Sequence, residues 1–135
     1  LSRTKTSKLW QTKDNALYDL TRDGATDLNR KTSLNPNIVY KTYTGEATHP
    51  TLFGKYKADY NLFLPFTVTA NVIGKATEKE WRENDCLVSV ISSQNPFTQA
   101  YTEATDTNLE GIWRVSPTRH DCDHVNLGGH HSTDP

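Results

Sequence analysis

The sequence predicts an α/β fold with an incomplete sheet. Three observations lead there. A helix-start signal at Thr21 opens the first patterned segment. Two β-rich runs, IVYKTY at residues 38–43 and IWRV at 112–115, lie far apart in the chain. The most apolar stretch, residues 61–74, falls between them. Helix, strand, loop, strand, loop is an order that fits mixed layers rather than an all-β meander. The chain is too short and too polar to complete a doubly wound sheet, so the sheet is expected to be partial.

Taken in order, residues 1–16 are polar and read as a loop, and LYDL at 17–20 is a short apolar entry. Thr21 caps a helix expected to run to about Thr32, with Ala25 and Leu28 on its inner face. Gly24 weakens that helix by roughly 1 kcal/mol. Asn35-Pro36-Asn37 is a turn. Residues 38–43 are β-branched and aromatic, the strongest strand signal. Residues 45–57 read as loop, punctuated by Gly45, Pro50 and Gly54. The apolar segment 61–74, NLFLPFTVTANVIG, fits a buried helix or a strand pair, with Pro65 making either irregular. Residues 87–91 form a short β-like run, and 93–111 a polar loop anchored by Pro96-Phe97. The strand at 112–115 is stopped by Pro117. There is no internal repeat.

Composition narrows the function classes. A chain of 135 residues fits one domain or a piece of one. Its leading residue, Leu1, leads us to expect a processed product or a piece of a longer chain, with no signal peptide of its own. Hydrophobic residues make up 34%, and mean hydropathy is −0.73, so the apolar supply for a core is thin. A formal charge of −1 gives no electrostatic case for nucleic acid or an anionic membrane surface. No run of 18 apolar residues spans a bilayer. Two cysteines are too few for a disulfide scaffold.

The chemistry-bearing stretch is the last one, TRHDCDHVNLGGHHSTDP at residues 118–135. It holds four of the five histidines, three aspartates and one of the two cysteines. His120, Cys122, His124, His130 and His131 offer nitrogen and sulfur ligands that suit zinc. Zinc sites usually use two short ligand pairs separated by a loop, whereas here there is one crowded segment. A solvated polar loop explains the same residues. A catalytic reading is also open. A histidine base needs a carboxylate on its second ring nitrogen. In α/β-hydrolases the order is Ser, Asp or Glu, then His. Asp85 precedes His124 by 124 − 85 = 39 residues. Asp85 as a loop cap is the bland alternative.

Three stretches carry a resemblance. NDCLVSVISSQNPF resembles the Asp-bearing loop of the secreted staphylococcal lipases, which reads NDG followed by LVS and ISSQ. GIWRVSPTRHDCDHVNLGG resembles their His-bearing loop, a GxWxVxPT segment followed by WDH. YDLTRDGATDLNRKTSLNPNIVYKTYTGEATH is similar to the segment ahead of their Asp loop. The resemblance implies an extracellular triacylglycerol lipase of α/β-hydrolase fold, acting on lipid esters at a lipid–water interface. It implies Asp85 as triad acid and His124 as triad base. It also implies a calcium site beside the histidine, whose positions here are the Gly54 carbonyl, Asn126, His131 and the Ser132 carbonyl. The sequence departs from the family pattern nearby. Cys86 stands for glycine, Cys122 for tryptophan, Asn126 for a carboxylate, and His130-His131 for a polar residue and the calcium aspartate. With Asn126 and His131 in place of carboxylates, calcium binding is expected to be weak or lost. Cys86 and Cys122 flank the two triad positions and are expected to approach each other, as a disulfide or as two free thiols.

No G-x-S-x-G nucleophile elbow is present: the residues two after each glycine are Thr26, Ala47, Tyr56, Ala76, Trp113, His130 and His131. Residues 1–135 are therefore expected to be the C-terminal part of a single hydrolase domain that draws its serine from elsewhere. The rival expectations are a metal-binding module built on the tail and a non-catalytic interaction fragment.

Overall fold

The structure is a computed structural model that describes residues 12–14, 16–19, 21–59, 62–105, 107 and 109–129. The expected loop at residues 1–16 lies largely outside these. Two compact units divide the chain, Leu1–Asn35 and Pro36–Pro135.

In the first unit, helix α1 (Ala16–Asp19) leads into helix α2 (Arg22–Lys31). Thr21 caps α2 as the sequence expects, its Oγ1 accepting from the Gly24 N–H at 3.1 Å. Asp23 in the first turn and Arg30 and Lys31 in the last complement the helix dipole. The inner face is corrected. Leu28 is exposed, and Gly24 is the buried residue. A Cβ at Gly24 would meet the Tyr18 carbonyl oxygen at 2.0 Å, so the glycine that weakens the helix in isolation permits its close approach to α1.

The second unit is built on parallel strands. Strands β1 (Tyr40–Thr42), β5 (Tyr101–Glu103) and β6 (Trp113–Val115) form one sheet in the order β1-β6-β5, parallel throughout. The two sequence-predicted strands are thus neighbours, and β5 emerges from the stretch expected to be loop. The same two chain segments then pair again as β2 (Gly45–Glu46) and β7 (Arg119–His120), also parallel. Tyr40 faces Trp113, an offset of 73, and Gly45 faces Arg119, an offset of 74. One extra residue therefore enters the second segment between the ladders, where Pro117 has no N–H to give. Backbone bonds from Ser116 to Thr42 and from Arg119 to Thr44 carry the pairing across this bulge. Gly45 is required where the segments close: a Cβ there would meet the Cys122 carbonyl oxygen at 2.5 Å.

Residues 45–57 also hold an antiparallel hairpin, β3 (Thr48–Pro50) with β4 (Tyr56–Ala58), so the expected loop is corrected to short strands. Its breakers sit at strand ends and in the turn, where Gly54 takes φ +70°. The apolar segment resolves to a helix, α3 (Leu64–Ile73). Pro65 lies in its first turn, where a missing N–H costs nothing. Ala70 is fully buried against Ala47 and Cys86, with Ala58, Leu62 and Phe66 packed around them. The expectation of a buried helix holds for that face alone. Leu64, Val68 and Val72, spaced four apart, are exposed.

Residues 87–91 are not a strand. Asn84 and Ser89 form a single antiparallel bridge that closes a tight turn, and helix α4 (Val90–Gln94) follows. A 3-10 turn at Lys79–Trp81 precedes it, and Ser89 Oγ donates to the Trp81 carbonyl at 2.6 Å. The four residues between Asn84 and Ser89 are taken up by the turn, residues 90 and 91 already belong to the helix, and local bonding overrides β propensity. Last comes a one-turn helix, α5 (His124–Leu127).

Candidate active site

Asp85 sits in the turn closed by Asn84 and Ser89. Its Oδ1 accepts from the backbone N–H groups of Leu87 at 3.0 Å and Val88 at 2.8 Å. Its backbone N–H donates to the Val88 carbonyl. The turn thus wraps its own amides around one carboxylate oxygen and leaves the other, Oδ2, free to aim outward. Asn84 fixes the turn from below. It is fully buried, donates through Nδ2 to the Ala70 and Arg82 carbonyls, and accepts the Cys86 N–H on Oδ1 at 2.9 Å. Cys86 is held at φ +84°, a left-handed backbone that explains why glycine would suit this position.

His124 is the first residue of α5. Asp123 caps that helix, accepting from Val125 at 2.9 Å and Asn126 at 2.8 Å. The His124 N–H donates to the Asp85 carbonyl at 2.9 Å, and its Nδ1 lies 2.7 Å from Asp85 Oδ2. The two residues chosen from the sequence are therefore joined twice, by backbone and by side chain. Bonding at Nδ1 fixes the ring tautomer and leaves Nε2 as the free acceptor. The Asp85 side chain is 4% exposed and that of His124 45%, so the carboxylate is shielded and the imidazole is partly open to solvent.

Among the described residues, two other pairs share the motif. His49 Nδ1 lies 2.8 Å from Asp59 Oδ1, but that carboxylate is 23% exposed. His120 Nδ1 lies 2.9 Å from Glu46 Oε2, and Glu46 is as well anchored as Asp85: its Oε1 accepts from the Thr48 N–H and hydroxyl. Hydrogen bonding to Glu46, then its charge, raises the His120 pKa. The sequence reading missed Glu46 and Glu83 altogether, and Asp123 as a cap. Only Asp123 carried a usable signal, an Asp placed just ahead of a short helical segment.

Of the crowded zinc set, the three described members do not gather on one point. His120 and His124 turn to different carboxylates, and Cys122 is buried. His130 and His131 lie outside the described residues. The metal-capable group among the described residues is Glu46, Glu83 and His120. The calcium positions fare differently. His131 and Ser132 are likewise outside the described residues. The Gly54 carbonyl accepts from the Arg82 guanidinium at 2.6 Å, so that oxygen already faces a positive charge. Asn126 brings no charge. The described residues at these positions do not fit calcium.

Cys86 and Cys122 are both free and buried. Burial pushes the Cys86 thiol up to about 12, helped by Asp123 and Asp85. Burial raises Cys122 as well. At pH 8 the Cys86 thiolate is then about one part in 10⁴. A thiol reagent should find neither cysteine quickly in the native protein, and two per chain in denaturant. None in unreduced denaturant would reveal a bridge between them.

Comparison with known proteins places the chain in a class. A family model described as the lipase-like C-terminal domain matches residues 1–135, and the chain belongs to that family. It is 72% identical over 134 residues to a lipase of Staphylococcus epidermidis, and 69% identical over 135 residues to lipase 1 of Staphylococcus aureus. Each match covers 99% of this chain and 20% of the relative. The chain thus spans about a fifth of the length of these curated relatives. Among solved structures it resembles the Staphylococcus hyicus lipase, with a TM-score of 0.83 and 46% identity over 94% of this chain and 34% of that one. EstA from Clostridium botulinum gives 0.82 and 28%, covering 96% of this chain and 34% of its own.

Proposed function

We propose that this chain is the C-terminal part of a single α/β-hydrolase domain in an extracellular triacylglycerol lipase, and that it supplies the acid and base of a Ser-Asp-His triad. The observation that carries the reading is the double tie between His124 and Asp85. His124 Nε2 takes the proton of a serine hydroxyl supplied from outside these 135 residues as the oxygen attacks the ester carbonyl. The imidazolium then protonates the departing alcohol. Asp85 holds the ring and offsets its charge throughout. Lipid esters are the substrate class, consistent with relatives named as lipases. The lipid–water interface is the expected place of work, and no helix among the described residues is long and apolar enough to cross a membrane.

The 135-residue chain alone should not hydrolyse a short-chain nitrophenyl ester above background, because no serine elbow is present. Joined to the upstream part, it should. Turnover by the purified chain alone that vanishes on His124→Ala would overthrow this division of labour.

Calcium should stabilise the full-length protein little. Asn126 and His131 bring no negative charge, and Gly54 already accepts from Arg82. Asn126→Asp combined with His131→Asp should create a calcium-dependent rise in melting temperature. A rise of the same size in the unsubstituted protein would place the calcium site elsewhere.

A further inference from the structure

We propose that Glu46, Glu83 and His120 form a zinc site that pins together the segments carrying the catalytic pair. One ligand atom from each lies within 4.8 Å of the others. They come from three separate places: Glu46 from β2, His120 from its partner strand β7, and Glu83 from the turn leading into Asp85. The set is graded. The Glu46 side chain is 8% exposed and fixed by two bonds from Thr48, so it is a pre-formed anchor. Glu83 is half-buried. The His120 side chain is 71% exposed and free to adjust.

Tetrahedral zinc with bonds of about 2.0–2.2 Å needs ligand atoms about 3.3–3.6 Å apart. The group would have to close from within 4.8 Å to that spacing, and the half-buried Glu83 and exposed His120 have more room to move than Glu46. Charge points the same way. Two carboxylates are drawn out of water beside a single imidazole. Burial, then the Glu46 charge, raises the Glu83 pKa, and His120 is the group that lowers it. Even with His120 protonated, the trio carries −2 + 1 = −1. A divalent cation with a neutral imidazole brings it to zero.

One nitrogen and two carboxylate oxygens suit zinc. Calcium requires six to eight oxygens, which this set does not offer. The exposed flank by His120 leaves room for solvent to complete the coordination. The site shares His120 with the tail set but uses none of Cys122, His124, His130 and His131. Its expected role is structural. Zinc would tie β7, four residues before His124, to the turn two residues before Asp85.

The test is calorimetric titration of zinc chloride into metal-free protein, on the 135-residue chain and on the full-length protein that carries it. Circular dichroism checks that each variant is folded. One equivalent should bind. Glu83→Gln and His120→Ala should each weaken it at least tenfold, while Cys122→Ser and His49→Ala should change it less than twofold. X-ray absorption at the zinc edge should show nitrogen and oxygen neighbours and no sulfur. Folded protein that binds no zinc would refute the site. So would an equivalent that survives the Glu83→Gln, His120→Ala double variant, or one lost on replacing His130 and His131 instead. Each outcome is independent of the hydrolase reading, because binding is read without substrate.

Discussion

Asp85→Asn and His124→Ala, each made in the full-length protein, should lower kcat for an ester substrate about 10⁴-fold. The two losses have different origins. His124→Ala removes the base. Asp85→Asn preserves shape but puts an amide where Nδ1 meets Oδ2 at 2.7 Å, so the ring is stabilised in the wrong tautomer and Nε2 no longer accepts. Because both act on one event, the double variant should be little worse than either single one. The other two histidine–carboxylate pairs supply the controls. His49→Ala should leave kcat within a few-fold. His120→Ala should do so too, or act only through stability. If Glu46→Gln and His120→Ala instead cost 10⁴-fold while Asp85→Asn is silent, the triad belongs to β2 and β7 and the assignment made here is wrong.

The sequence made parts of this arrangement legible and hid others for physical reasons. Thr21 was readable because a cap is local: its hydroxyl bonds three residues on. The strands at 40–42 and 113–115 were readable because β-branched and aromatic residues cluster there. β2 and β7 were not, since two-residue strands carry no period, and their pairing depends on a bulge set by Pro117. The turn after Asn84 was misread as β because its order comes from the Asn84 and Asp85 side chains bonding the turn's own amides, which hydrophobic pattern does not record. Asp85 and His124 were found through motif resemblance. Their 39-residue spacing alone fits many pairs, and two rival pairs of similar geometry exist among the described residues. Glu46 and Glu83 stand in no motif that would single them out. Burial made them different, and a thin apolar composition gave no hint that charged groups would be taken inside.

Asn84→Ala should be the most damaging substitution outside the catalytic pair, destabilising the second unit by about 2–4 kcal/mol. Asn84 has no exposed surface, and every polar atom of it is engaged. Its backbone N–H donates to Thr48 Oγ1, and its carbonyl accepts from the Ala47 N–H. Its side chain joins Arg82, Ala70 of α3 and Cys86. Alanine keeps the backbone bonds and deletes the side-chain ones. The Cys86 N–H and the Arg82 carbonyl then lose the partner the amide gave them, while the Ala70 carbonyl keeps the Gly74 N–H, and the desolvation penalty of those two groups is the main cost. The Cys86 N–H is the critical one, because it helps hold a left-handed φ that a non-glycine residue otherwise resists. Once that constraint goes, the turn that aims Asp85 Oδ2 loosens. Asn84→Ala should therefore lower kcat by more than its unfolded fraction explains, at a temperature where the variant remains folded. Asn84→Asp keeps the acceptor for Cys86 but loses the donors to Ala70 and Arg82, and it buries a charge. It should be at least as unstable while it remains folded, yet keep more activity per folded molecule. Urea unfolding gives the stability, and initial rates corrected for folded fraction give the activity. Wild-type rates in folded Asn84→Ala would show that Asp85 is aimed by its own turn amides alone.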